Sequence, residues 1–178
     1  WAGAASRSVG SGASTGIGRG LATTLATIYK ARMVLTARSE HELTTLKQEV
    51  EKRGGEAIIY AADITTSGVT ATLVKECIKN FGSLNLLVNN AGMAIPGRFD
   101  ELSEEDWRKV MEVNFFSTLT LTQQALPELK AAKPAKIVNI SSVAGKIAFP
   151  GSISYCASKF AMTALSEGLA AELASDDI

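Results

Sequence analysis

"GASTGIGRG", residues 12–20, places four glycines in nine positions directly ahead of an apolar run with helical spacing. At the start of a helix the free N–H groups and the helix dipole attract phosphate, and glycine lets the backbone approach a pyrophosphate with no Cβ in the way. The spacing, Gly12-x-x-x-Gly16-x-Gly18, differs from the more widespread G-x-G-x-x-G, and alone it also suits a flexible turn. What surrounds it decides between the two.

Downstream, short β-branched runs alternate with longer helical patterns, the signal for βαβ units in a parallel sheet with helices on both faces. "LATTLATIYK" (21–30) puts Leu21, Leu25 and Ile28 on one helical face, and "RMVLTA" (32–37) reads as a strand. Ser39 with Glu42 forms a capping-box pattern opening a charged helix to Arg53, which Gly54 and Gly55 stop. "AIIYAA" (57–62) is the next strand, a helix over Val69 to Phe81 follows, and the apolar "LNLLVNN" (84–90) suits a strand buried on both faces. Ser103 with Asp106 starts a long helix through Trp107, Val110 and Phe115 toward Lys130, with a kink expected at Pro127. "KIVNISS" (136–142) is the fifth strand and a last helix runs from about Ser152 to Ala174. The first strand must precede Gly12, yet "ASRSVGS" (5–11) carries Arg7 and Gly10 where a buried strand wants branched apolar residues.

The 178 residues are 46% hydrophobic and 20% charged, which predicts one α/β domain over residues 1–178. Lysine plus arginine equals aspartate plus glutamate at 18 each, so net charge points to neither nucleic acid nor an anionic membrane. Cys77 and Cys156 stand far apart, outside metal-ligand or C-x-x-C spacing; no disulfide framework or metal site is indicated, and a reducing, cytoplasmic setting is expected. No apolar run reaches membrane-spanning length. The chain begins at Trp1 and stops at Ile178 directly after a helical pattern, so we expect it to be truncated, and an anchor upstream of Trp1 stays open.

In an open parallel sheet, ligands bind beyond the carboxyl ends of the strands, where strand order reverses. Five strand ends carry a polar or glycine signal on that one edge: the glycines, Arg38, Asp63, Asn89-Asn90 and Ser141-Ser142. A second constellation is Tyr155-x-x-x-Lys159, with Ser142 thirteen residues before the tyrosine. Positions i and i+4 share a helix face, so phenol and ammonium are neighbours, and a fixed positive charge favours phenolate. Such a tyrosine can protonate a carbonyl oxygen as hydride arrives, with a serine hydroxyl bonded to the same oxygen. Taken alone, the pair also suits an ordinary solvated helix; beside a phosphate-cradling bend, the chemical reading prevails.

Together these residues resemble the short-chain dehydrogenase/reductase family: Gly12-Ala13-Ser14-Thr15-Gly16-Ile17-Gly18, Asp63, Asn89-Asn90-Ala91-Gly92, Asn114 in "VNFF", Ser142 in "IVNISS" and Tyr155-Cys156-Ala157-Ser158-Lys159. The resemblance implies a Rossmann-type doubly wound sheet and hydride transfer between a nicotinamide and an alcohol or carbonyl substrate. It implies that Tyr155 is the acid/base, that Lys159 holds the nicotinamide ribose and favours the phenolate, that Ser142 orients the substrate oxygen and that Asn114 holds a relay water. Cofactor contacts are implied for Gly12, Ser14, Thr15, Gly16, Ile17, Gly18, Arg38, Ser39, Asp63 (toward adenine), Ile64, Asn90, Ala91, Gly92, Tyr155 and Lys159. Local readings rival two of these: a helix irregularity at Asn114 and a cap toward Thr66 for Asp63. The family's helices corresponding to 103–130 and 152–174 build a dimer interface, which implies a homo-oligomer.

The end of the second strand reads Thr36-Ala37-Arg38-Ser39. No carboxylate is there for a ribose diol, and Arg38 offers a planar fork for a 2′-phosphate, so NADP is expected over NAD. The sequence departs from the family at Ser11, where threonine is usual, in its poor first strand, and in stopping before the substrate loop and last strand. A non-catalytic nucleotide-binding protein on the same fold is the rival from another class. No pattern identifies the substrate.

Overall fold

The computed structural model describes residues 6–178, so residue 5 of the expected first-strand stretch lies outside the described residues. Strand and helix alternate as β1 (Arg7–Ser11), α1 (Gly16–Tyr29), β2 (Arg32–Ala37), α2 (Glu40–Lys52), β3 (Glu56–Ala61), α3 (Val69–Phe81) and β4 (Leu86–Asn89). There follow α4 (Glu104–Met111), a π-helical segment (Glu112–Phe116), α5 (Ser117–Ala131), β5 (Lys136–Asn139), a 3-10 turn (Val143–Gly145) and α6 (Ile153–Leu173). Every strand pair is parallel, in the order β3-β2-β1-β4-β5. The chain leaves β1 in one direction and returns to its other side at β4, so strand order reverses between β1 and β4 and a crevice opens at their carboxyl ends.

The sheet separates two apolar clusters. One joins Leu73, Cys77 and Phe81 of α3 to Leu121 and Leu129 of α5; the other joins Leu25 and Ala26 of α1 to Leu43, Leu46 and Val50 of α2. Both cysteines are free and buried, and burial pushes the Cys77 thiol up to about 12, which keeps it protonated and inert. Among the described residues no helix is long and apolar enough to cross a membrane.

β1 forms despite its sequence. It is paired on both sides, Ser8 lying opposite Met33 of β2 and Leu86 of β4, so two ladders override weak side-chain preference. Arg7 takes the strand's first position, where its N–H donates to Asn85 Oδ1 at 2.8 Å. Gly10 is filled from next door: a Cβ there would only touch Leu35 Cδ2, at 3.4 Å.

Two helices differ from the periodicity reading. In α1 the buried stripe is Gly18, Ala22, Leu25 and Ala26, roughly a quarter turn from the Leu21–Ile28 line; Ile28 is 62% exposed. Small residues let α1 lie close to the sheet, and packing distance outranks side-chain bulk. The helix expected over 103–130 is broken at Glu112–Phe116 by π-helical winding, while α5 continues through Pro127 to Ala131. At the start of α4 the Ser103–Asp106 capping box forms reciprocally. At α2 only half of the box forms: Ser39 Oγ accepts from the Glu42 N–H at 3.3 Å, while the Glu42 carboxylate turns to Arg19.

The glycines of the bend make contrasting demands. A Cβ on Gly18 would lie 2.4 Å from the Gly12 carbonyl oxygen and 2.6 Å from Asn90 Nδ2, whereas one on Gly20 meets nothing within 4 Å. Gly18→Ala is therefore expected to destabilise by at least about 2 kcal/mol through backbone overpacking, and Gly20→Ala to be neutral or to stabilise by up to about 1 kcal/mol. Urea denaturation of the two variants tests the contrast.

Candidate active site

The bend after β1 is locked to the loop after β4. Ser11 Oγ accepts from the N–H groups of Asn90 at 3.0 Å and Ala91 at 3.1 Å, and Asn90 Nδ2 donates to the Gly12 carbonyl at 2.8 Å. The hydroxyl alone makes these bonds, so serine meets the need at a position where the family favours threonine. Gly12, at φ +60, lies so near Ala91 that a Cβ would come within 2.8 Å of its backbone. Gly16 begins α1 at φ +54 with nothing within 4 Å of where a Cβ would stand. Among the described residues no side chain caps that helix start, and no acidic residue occupies its first turn, so an anion can reach its N–H groups.

Beside the bend lies an open cleft of about 460 Å³, a size suited to a small-molecule ligand. Its walls include Gly12, Ser14, Thr15, Arg38, Ser39, Asp63, Ile64, Asn90, Ala91 and Gly92, which the sequence nominated, together with Thr36, Ala37, Glu42, Ala62, Met93 and Val113, which it did not. Val113 and Met93 flank residues that carried a signal, and position alone could have flagged them. Gly16, Ile17 and Gly18 stand at the helix start and do not line the cleft; Gly18 instead serves the close packing described above. Asp63 Oδ1 accepts from the Thr65 N–H at 2.9 Å and the Thr65 hydroxyl at 2.7 Å, a local turn rather than a cap toward Thr66. Those bonds, with Arg38 acting through space, hold its carboxyl below the usual range. Arg38 is exposed and belongs to no ion pair or hydrogen bond among the described residues.

The reactive types gather where α6 meets the ends of β4 and β5. Lys159 is 4% exposed; its Nζ donates to the Ile140 carbonyl at 2.8 Å and lies 5.7 Å from the Tyr155 ring centre. The strand expected over 136–142 ends at Asn139, and Lys159 takes the carbonyl of the next residue. Burial holds the Lys159 ammonium below its ordinary pKa. Ser141 and Ser142 part company: Ser141 Oγ lies 3.1 Å from Thr163 Oγ1 on α6, while Ser142 Oγ accepts from the Ala144 N–H at 3.1 Å, leaving its own proton to donate outward. The 3-10 turn presses on α6, since a Cβ on Gly145 would lie 2.6 Å from the Lys159 carbonyl oxygen.

Asn114 is fully buried within the π-helical segment. Its Oδ1 accepts from the Met93 N–H at 2.7 Å, and its Nδ2 donates to the Met93 carbonyl at 2.8 Å and to Ser158 Oγ at 2.9 Å. Ser158 Oγ in turn donates to the Tyr155 carbonyl at 2.7 Å. Both side-chain protons of Asn114 are committed, and together they tie the β4 loop to the helix that carries Tyr155 and Lys159. Ser158, which the sequence reading quoted without a role, is the link.

Residues 9–178 match the family model described as short chain dehydrogenase. The chain belongs to the short-chain dehydrogenase/reductase family. It is similar to human "Dehydrogenase/reductase SDR family member 7", 36% identical over 168 residues, covering 92% of this chain and 49% of the relative. It is similar also to "3-oxoacyl-[acyl-carrier-protein] reductase FabG" of Staphylococcus aureus, 32% identical over 167 residues, covering 94% of this chain and 68% of that protein. The chain thus spans about half of the human relative and two thirds of the bacterial one. Among solved structures, a metagenomic short-chain oxidoreductase in complex with NADP superposes with a TM-score of 0.91 at 33% identity, covering 98% of this chain and 78% of that one. This short-chain dehydrogenase fold places its polar strand ends and its Tyr–Lys pair on one edge of the sheet.

The buried ammonium carries a cost to stability. Its pKa is depressed on folding, so the unfolded chain binds the proton more tightly; the cost is full below the folded pKa and vanishes as pH rises past the ordinary value. Lys159→Met is expected to leave the free energy of unfolding at pH 7 unchanged or raise it by up to about 2 kcal/mol, and that gain is expected to shrink toward pH 10.5. Urea midpoints at the two pH values measure it.

Proposed function

We propose that residues 1–178 form one dinucleotide-binding unit of an NADP-dependent oxidoreductase, with Tyr155 as the acid/base for an alcohol or carbonyl substrate. The observation that carries the reading is the Tyr155–Lys159 pair, one helical turn apart, with Lys159 Nζ 3.7 Å from where a Cβ on Gly92 would stand, Gly92 being part of the cleft that Gly12 and Thr15 also line. The open backbone at Gly16 and the absence of acid in the first turn of α1 fit a pyrophosphate. Asp63, Ile64, Ala91 and Gly92 would face the adenosine and ribose side, and Arg38 with Ser39 would meet a 2′-phosphate.

When bound, the nicotinamide supplies a hydride to the carbonyl carbon or accepts one from the alcohol carbon. In the reducing direction Tyr155 Oη gives its proton to the carbonyl oxygen, so that hydride and proton together convert C=O to CH–OH. The Lys159 ammonium stabilises the tyrosinate left behind, and solvent returns the proton. Ser142 Oγ, whose acceptor side is engaged by the Ala144 N–H, donates to the same substrate oxygen. With both Asn114 side-chain protons engaged, a relay water would meet that residue's main chain, and its carboxamide serves to fix Tyr155.

Tyr155→Phe is expected to lower kcat by at least about 100-fold, within the range for general acid–base catalysis, with the NADPH dissociation constant within about twofold of the parent's. Parent-like turnover would overturn the assignment. Arg38→Ala is expected to weaken NADPH about tenfold, roughly the worth of a charge-assisted contact, with NADH little changed. Parallel titrations with the two dinucleotides check it.

A further inference from the structure

Arg19 stands between Gly18 and Gly20 of the bend and reaches from α1 to α2. Its Nη1 donates to the Ser14 carbonyl at 3.1 Å and the Glu42 carbonyl at 3.4 Å and lies 3.5 Å from Glu42 Oε2. Its Nη2 donates to Glu49 Oε1 at 2.6 Å. Glu42 lines the cleft beside Arg38 and Ser39. An unpaired carboxylate there would bond a ribose diol and repel a 2′-phosphate. Glu49 is the closer carboxylate, and with the Ser14 carbonyl it holds the guanidinium within 3.5 Å of Glu42 Oε2 and out of the cleft lining.

We propose that Arg19 is a positioning residue for cofactor choice: by pairing with Glu42 it neutralises a carboxylate at the 2′ end of the cleft and leaves Arg38 to receive the phosphate. This rests on the NADP reading above. Arg19 acts on the phosphate through Glu42, which distinguishes it from Arg38, whose guanidinium has no hydrogen bond or ion pair among the described residues.

The test is calorimetric titration of NADPH and NADH into the full chain and its variants, with thermal melts as a check of folding. The parent is expected to favour NADPH. Arg19→Met is expected to weaken NADPH about tenfold and NADH less than about twofold. In Arg19→Met/Glu42→Gln, with the exposed carboxylate gone, NADPH affinity is expected to return to within about twofold of the parent's. A double variant as weak as Arg19→Met overturns the proposal, because Arg19 would then bind the phosphate itself; so does equal weakening of both dinucleotides, the mark of a bend merely loosened. If Arg19→Met does not fold, Glu42→Gln alone decides: affinity for NADPH within about twofold of the parent's supports a carboxylate already masked, and tightening by about tenfold overturns it. A parent with no preference for NADPH removes the NADP reading and this inference with it. A parent preference that Arg19→Met leaves intact removes this inference alone.

Discussion

The hydrogen bond from the Asn90 carboxamide to the Gly12 carbonyl, 2.8 Å long, joins the two halves of the sheet at the point where strand order reverses. Around it the Ser11 hydroxyl takes two N–H groups of the β4 loop, and the Ala13 N–H donates to the Thr36 carbonyl at the end of β2. Three strand ends are thereby held in register by polar contacts rather than by apolar packing. The arrangement requires that nothing project from Gly12 or Gly18 into the space where Asn90 sits. The glycine-rich composition of the bend thus answers two demands at once. Gly12 and Gly18 allow backbone to approach backbone, and Gly16 leaves a helix start open to an anion.

The fold class was legible because a parallel sheet buried on both faces needs near-continuous apolar strands separated by helices, and that alternation survives in the sequence. The site's edge was legible for a related reason: βαβ connectivity sends every strand the same way, so each residue just past a strand lands on one rim. What could not be read were features decided by contacts distant in sequence. β1 is a strand because β2 and β4 flank it, which no property of Arg7 or Gly10 announces. The stripe of α1 follows the smallest residues, since closeness to the sheet mattered more than bulk, and Ile28 was left outside. The π-helical winding centres on Asn114, whose carboxamide meets Met93 and Ser158, partners 21 and 44 residues away. Local periodicity carries no trace of such a demand.

The Tyr155–Lys159 pair shows how a costly group can be held inside the fold. An ammonium removed from water is unfavourable unless hydrogen-bonded, and here the Ile140 carbonyl supplies one bond. That carbonyl is available because β5 stops at Asn139, so the end of a strand and the seat of a charge are the same structural event. The ring of Tyr155 lies beside the ammonium, and Ser158 bonds the tyrosine carbonyl from the other flank. Position on the helix made the two residues neighbours; it did not say that one would be buried.

Charge at the opposite end of the cleft is arranged by subtraction. Arg38 and Glu42 both border it, and their signs would cancel if both acted freely on a ligand. The half-formed capping box decides the matter, because Ser39 caps α2 without help from Glu42 and the carboxylate is released to Arg19. A residue that looks from sequence like a helix cap is thus drawn into the glycine bend's own scaffold, with Glu49 steadying the same guanidinium. Arg19 thereby ties the bend to the first turn of α2. With Glu42 drawn to Arg19, the charges left to border the cleft are Arg38 and the Asp63 carboxylate, which act on each other through space.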